Sequence, residues 1–256
     1  MMNNKDILRI AMEQSAADLG CKAEDFLSNK NITVPFNPGA NAKKYYKLPI
    51  ACNFISYGNN VVAAVTDEVS DIVSEYISKF EFYHCFETPN MHWLNERLSA
   101  KGLAVCFMAE YYLPDINRLT AIPCSYDLKV LEKGQFENLY LPEWSNALCS
   151  DRKHLDVLAV GAYDGGKLVG LAGCSADADK MWQIGVDVLP EYRRNGIAAA
   201  VTSRLALEIL ERDKVPFYCT AWSNIRSVRN AVKCGFIPAW VEMTVKPVDT
   251  VKSMNV

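Results

Sequence analysis

The sequence predicts a mixed α/β protein: a central sheet with helices on its faces. Three observations predict it. Short apolar runs bounded by Gly, Pro, Asn and Asp recur along the chain, as strands between turns do. Between them lie stretches of helical periodicity, such as residues 196–213, where Ile197, Val201, Leu205 and Ile209 recur at every fourth position. The composition, 50% hydrophobic and 22% charged over 256 residues, suits a globular chain of one or two domains and excludes a disordered one.

Taken in order, residues 6–19 place Ile7, Ile10, Ala11 and Ala17 near one face and predict a helix. A loop follows around Asn37, Pro38 and Gly39. Residues 50–57 and 61–65 are apolar runs about Gly58, Asn59 and Asn60, a turn between two strands. Thr66, Asp67 and Glu68 open a helix, with an acceptor side chain and early acids against its free N–H groups. Another helix covers residues 90–100, Gly102 suits its left-handed end, and residues 103–113 form a strand. Pro114, Pro123 and the polar residues between them mark a boundary. Beyond it, residues 126–131 are a strand and 136–148 one or two short helices interrupted by Pro142. Residues 155–163 and 168–175 form a hairpin about Gly165 and Gly166, followed by a strand at 182–188. The helix at 196–213, a strand at 217–222, a helix at 225–234 and a strand at 236–245 complete the order.

Several classes are excluded. A formal net charge of -3 leaves no global positive field for nucleic acid or an anionic membrane. The amino terminus is amphipathic and carries acids, without the apolar stretch or cleavage site of a signal peptide. No window approaches the ~18 consecutive apolar residues of a membrane span. Nine cysteines stand singly, with no Cys-x-x-Cys pair, as in a reduced cytoplasmic protein. His84, His92 and His154 lack zinc-ligand spacing, so no metal is expected. There is no Gly-x-x-x-x-Gly-Lys-Ser/Thr loop either.

The chemistry concentrates in Val186-Asp187-Val188-Leu189-Pro190-Glu191-Tyr192-Arg193-Arg194-Asn195-Gly196-Ile197-Ala198. A strand feeds a tight loop, and the loop feeds a helix whose first N–H groups have no intrahelical partner. Those donors and the helix dipole make an anion site, each charge–dipole term contributing about 0.3–1 kcal/mol. Gly196 lets the backbone approach a phosphate, Ala198 is nearly as small, and Arg193 and Arg194 add positive charge. A surface helix behind an Arg-Arg loop has the same local pattern, so the setting decides. Downstream, Trp222-Ser223-Asn224-Ile225-Arg226-Ser227 through Lys233-Cys234-Gly235-Phe236 reads as a helix capped by Asn224 and ended by Gly235.

In this order the two segments resemble the GNAT superfamily of acetyl-CoA-dependent N-acetyltransferases. The first is similar to its pyrophosphate motif, Arg/Gln-x-x-Gly-x-Gly/Ala, read here as Arg193, Gly196 and Ala198. The second is similar to its Asn-x-x-Ser/Ala…Lys-x-Gly-Phe segment. The resemblance covers about half the chain. It implies a GNAT-like mixed central sheet with helices on both faces over residues 126–247. It also implies acetyl-CoA as co-substrate, held by Val186, Val188, Arg193, Arg194, Asn195, Gly196, Ile197 and Ala198, with Ser227 and, on the pantetheine arm, Asn224.

The family reaction is direct attack of an amine on the thioester. An alkylammonium of pKa ~10.4 is only about one part in 2,500 neutral at pH 7, a handicap of ~4.6 kcal/mol. A base should therefore take that proton, and an acid serve the leaving thiolate. Asp187 is the sole acid of its strand and the candidate base, although it faces away from the side where many relatives carry a glutamate. A structural carboxylate bonding loop N–H groups is the alternative reading. Where many relatives have a tyrosine, four residues before the Gly-Phe glycine, this chain has Ala231; Tyr218 is the substitute donor. The resemblance sets the acceptor against residues 136–151, where Glu143, with Glu137 and Asp151, would attract a cationic amine and Trp144 would line the pocket. A solvated face and a core tryptophan are the competing readings. Trp222 is a further substrate-side candidate.

Residues 1–120 form an α/β region of unknown role. Residues 90–103 echo 224–236, each a helix ending at glycine before a strand. The region is thus either a degenerate GNAT-like half or an unrelated α/β cap, and it lacks a phosphate motif of its own. The expected division is 1–120 and 126–247. The expected activity is acetyl transfer to a primary amine on a small molecule; protein or peptide acetylation and a non-catalytic acyl-CoA sensor are the alternatives. A small-molecule amine is the expected partner, with a homodimer left open and neither nucleic acid nor membrane involved.

Overall fold

The computed structural model describes residues 2–44 and 49–254. The front of the chain forms α1 (Asn4–Leu19), β1 (Ile32–Pro35), β2 (Cys52–Ser56), β3 (Val62–Val65), α2 (Ser70–Lys79), α3 (Thr88–Ser99) and β4 (Leu103–Pro114). Then follow β5 (Asp127–Glu132), β6 (Asp156–Asp164), β7 (Lys167–Ser175), β8 (Met181–Val188), α4 (Ile197–Glu211), β9 (Val215–Thr220), α5 (Ile225–Lys233), β10 (Phe236–Pro247) and α6 (Val248–Ser253). This is the mixed α/β architecture expected. Among the described residues, no helix is long and apolar enough to cross a membrane.

The chain divides into two compact units, and the division differs from the expected one. One unit combines Met1–Ile10 with Tyr112–Pro238; the other combines Ala11–Tyr111 with Ala239–Val256. The reason is continuity of elements. α1, β4 and β10 each begin in one unit and end in the other, so no single cut separates them.

In the second unit the strand order is β1, β3, β2, β10, β4. β1 runs parallel to β3, and β2 pairs antiparallel with β3 and with the second half of β10, from Val241↔Ser56 to Val245↔Cys52. Phe54, Val73, Tyr76, Leu94, Leu98 and Met243 form its core. A polar cluster is buried in the same unit: Lys43 Nζ lies 3.0 Å from Asp18 Oδ2 and 3.9 Å from Glu242 Oε2. Asn53 donates to Glu242 at 2.8 Å. The four-residue β1 and six-residue α6 are additions to the sequence reading. The echo noted above is real in the backbone: α3 and α5 each end at a left-handed glycine, Gly102 and Gly235, before a 12-residue strand.

In the first unit β5, β6, β7 and β8 form an antiparallel meander, and β9 joins β8 in parallel through the α4 crossover. The end of β4 lies beyond β9. Strand alternation separates two cores. Val160, Val169, Ala172 and Ile184 point to Ile197, Val201, Leu205 and Ile209 of α4. Ala159 and Leu171 face the other way, onto Phe136, Trp144, Ala147 and Leu148. The short helices expected over 136–148 are 3-10 turns, Glu137–Leu139 and Pro142–Trp144. Pro142 lacks the donor that would carry the first turn into the second, so the two stay separate.

Candidate functional site

β8 pairs with β7 up to Val188, but with β9 only from Met181↔Val215 to Ile184↔Tyr218. Past Ile184 the two parallel strands part. Each then feeds a helix at the same end of the sheet, β8 into α4 and β9 into α5. In open α/β sheets such a crevice at the carboxyl ends of the strands is where ligands bind.

The loop from β8 to α4 is built for an anion. A turn at Pro190–Tyr192 reverses the chain, and Arg193 Nε donates to the Val188 carbonyl at 3.1 Å. Arg194 and Gly196 both adopt left-handed backbone, with φ 69° and 80°. For arginine that conformation costs about 1–2 kcal/mol, and strain of this kind gathers at functional sites. Left-handed turns of this kind can direct successive N–H groups toward an anion. The first i→i−4 bond of α4 runs from Ala200 N to Gly196 O at 3.1 Å, so the N–H groups of Ile197, Ala198 and Ala199 precede the helical ladder. A Cβ on Gly196 would meet no atom within 4 Å: glycine is needed there for its φ, and the space above it is open. Arg193, Arg194 and Asn195 are exposed around this space, and Asn195 Nδ2 reaches the Tyr126 hydroxyl at 3.5 Å. Two expectations narrow. Ile197 is buried, so only its N–H can serve a ligand, and the half-buried Val186 and Val188 pack their side chains against the α4 core.

At the start of α5, Asn224 Oδ1 accepts from Ser227 N at 3.3 Å, the cap expected. Ser227 Oγ in turn lies 2.8 Å from the Tyr218 hydroxyl. Burial pushes the Tyr218 phenol above its ordinary range, against the hydrogen bonds of Ser227 and Asn230, so it stays protonated at neutral pH. Ala231 is fully buried beside Cys234, and burial pushes the Cys234 thiol up to about 12, which makes it a core residue. Trp222, 64% exposed, stands on the turn after β9 at the same end of the sheet.

On the opposite face of β8, Asp187 takes three hydrogen bonds: Asn146 N at 2.8 Å, Asn146 Nδ2 at 2.7 Å and Ala147 N at 2.9 Å. Both carboxylate oxygens are committed to the loop, which corrects the expectation of a base and matches its alternative. A second correction concerns Trp144, which is 3% exposed and packs with Phe136, Leu148 and Leu171 as core rather than pocket wall. Glu143 is exposed to solvent on the turn before it. The sequence reading missed Asn146 and Ala147. Glycines inside strands were the available signal, because Gly173 and Gly185 admit the carbonyls of Ala147 and Asn146 where a Cβ would sit. Among the described residues no group of three or more His, Cys, Asp or Glu side chains is placed to hold a metal.

Comparison with known proteins gives the family. The family described as GNAT acetyltransferase matches residues 95–239, more than half of the chain. A GCN5-related N-acetyltransferase from Kribbella flavida is similar in structure, with a TM-score of 0.52 and 14% identity over 96% of each chain. A GCN5-related N-acetyltransferase-like protein from Streptococcus suis has a TM-score of 0.46 and 20% identity, over 73% of this chain and 71% of its own. A GNAT-family protein from Novosphingobium aromaticivorans has a TM-score of 0.43 and 20% identity; the match spans 56% of this chain and 66% of that one. No curated protein matches the sequence. The chain belongs to the GNAT acetyltransferase family.

Proposed function

We propose that the protein transfers an acetyl group from acetyl-CoA to a primary amine on a small molecule, by direct attack on the thioester. The observation that carries this is the left-handed pair Arg194 and Gly196 at the start of α4, set where β8 and β9 part. The pyrophosphate would lie against the N–H groups of Asn195 through Ala198, with Arg193 and Arg194 beside it, and the pantetheine arm would run toward Asn224. Nine free cysteines suit a reducing compartment such as the cytoplasm. A loop seated directly on β7 and β8 favours a compact acceptor over an extended peptide.

In the step itself, the amine nitrogen bonds to the thioester carbonyl carbon, the carbon–sulfur bond breaks, and the nitrogen loses a proton to solvent. The thiolate takes its proton from the Tyr218 phenol, which regains one through its half-buried partner Ser227. With both oxygens of Asp187 tied to the loop, the proton goes to solvent rather than to this carboxylate. The pH profile carries the consequence: kcat/KM should rise tenfold per pH unit from neutral pH up to the pKa of the acceptor amine. A plateau well below that pKa would reveal a side-chain base.

Thiol release from acetyl-CoA against a panel of amines, with the product identified by mass, tests the reading. Release with small amines supports it, and release with peptides alone would favour protein acetylation. Binding of acetyl-CoA with no release would make the protein a sensor. Gly196→Glu sets a side chain and a charge in the phosphate space on a backbone that resists both. Acetyl-CoA at about 100 times Kd should stabilise the parent by roughly 2.7 kcal/mol and leave this variant unmoved.

A further inference from the structure

We propose that Asp187 is a positioning residue that fixes the acceptor wall of the cleft by clamping the loop around Asn146 onto β8. The inference rests on the acyl-transfer reading, since it assigns that face to the acceptor. Its grounds are geometric. Asp187 lies on residues 185–188 of β8, beyond the last β8–β9 pair and beside the crevice. Its oxygens take the backbone N–H groups of Asn146 and Ala147 and the Asn146 amide, at 2.7–2.9 Å. Hydrogen bonds to a carboxylate are roughly twice as strong as those between neutral groups.

Two glycines complete the clamp from the strand side. A Cβ on Gly185 would run into the Asn146 carbonyl oxygen, and one on Gly173 into that of Ala147. The loop backbone therefore rests on the sheet itself, with no side chain between. Behind it, Trp144 and Leu148 are locked into the core with Phe136 and Leu171. Asn146 is left exposed on top, held at both its N–H and its side chain. The loop thus stands rigidly next to the open half of β8, where the nucleophile must approach. A wall set by three bonds and two missing side chains fixes which acceptors fit, without touching the phosphate site across the sheet.

The test compares the full-length parent with Asp187→Asn, Asp187→Ala and Gly185→Ala. The first readout is hydrogen exchange at the amides of Asn146 and Ala147. Exchange should accelerate at least tenfold in Asp187→Ala and in Gly185→Ala, and less in Asp187→Asn, which keeps one acceptor oxygen. The second readout is the split of kinetic constants. KM for the amine should rise about tenfold or more, while KM for acetyl-CoA stays within twofold and the pH profile keeps its shape. Unchanged exchange in the variants would overturn the clamp. So would a collapse of kcat with amine KM constant and an altered pH profile, which is the signature of a base. If Asp187→Ala does not fold, Asp187→Asn and Gly185→Ala carry the same two readouts. Should the parent acetylate no amine, the acyl-transfer reading fails alone, and exchange still decides whether Asp187 holds the loop.

Discussion

At the residue scale, Tyr218 and Ala231 exchange the roles their positions suggest. In the proposed reaction the donor phenol belongs to β9, and its hydroxyl reaches α5 at Ser227. Tyr218→Phe removes the donor and keeps the ring. We expect kcat to fall about a hundredfold, with acetyl-CoA affinity unchanged by calorimetry. An unchanged kcat would mean that the thiolate leaves unassisted. Restoring a tyrosine at position 231 is not the simple repair that the spacing to Gly235 suggests. Ala231 is sealed in the core with Cys234 and Phe236, so the larger ring overpacks it. Ala231→Tyr should lower stability by about 1–3 kcal/mol in urea titration. Legibility differs between such residues for a physical reason. Gly196 announces itself because a left-handed turn into a helix needs a small residue at a fixed local spacing. The partners of Asp187 sit some 40 residues away in sequence, and nothing local encodes that meeting.

At the element scale, the strands and long helices were legible because burial on one face imposes a period. α4 shows it fully, with Ile197, Val201, Leu205 and Ile209 all in the core. Residues 136–148 have apolar spacing too, but Pro142 and a resting place on bare strand backbone leave room only for 3-10 turns. β1 and α6 were missed because four and six residues are too few to establish a period. α4 also carries a charge network on its outer side: Glu208 contacts Arg204 and Arg212, and Arg212 reaches Glu132 at 2.7 Å. Burial pushes the Glu208 carboxyl up, and the two arginines outweigh it, leaving it below the usual range. A lowered carboxyl stabilises the fold above its unfolded pKa of about 4.3 and ceases to as pH falls through the folded value. Glu208→Gln should therefore cost roughly 1 kcal/mol at pH 7 and progressively less below pH ~4.3. Melting curves across that range check it: a constant difference would mean that the loss is packing, not charge.

At the scale of the whole molecule, the chain path decides how the protein unfolds. A cut near residue 125 follows the sequence boundary but not the units. The piece 126–256 would lose Met1–Ile10 and the end of β4 from one unit, and would carry Ala239–Val256 away from the other. The front piece suffers as much. β2 would lose its ladder to residues 241–245 and become an open edge, and the core would lose Met243 and Val245. Glu242 would go as well, 189 residues from its partner Asn53. Lys43 and Asp18 would then lose the second carboxylate of their buried cluster. Both pieces should be aggregated or unfolded when expressed alone, and acetyl-CoA should not raise the melting temperature of either. The intact chain should unfold in urea in one transition, coincident by fluorescence and circular dichroism, because α1, β4 and β10 are each shared and cannot half-melt without damaging both units. Two separated transitions, or a soluble 126–256 fragment that still binds acetyl-CoA as tightly as the whole, would show that the shared elements couple nothing.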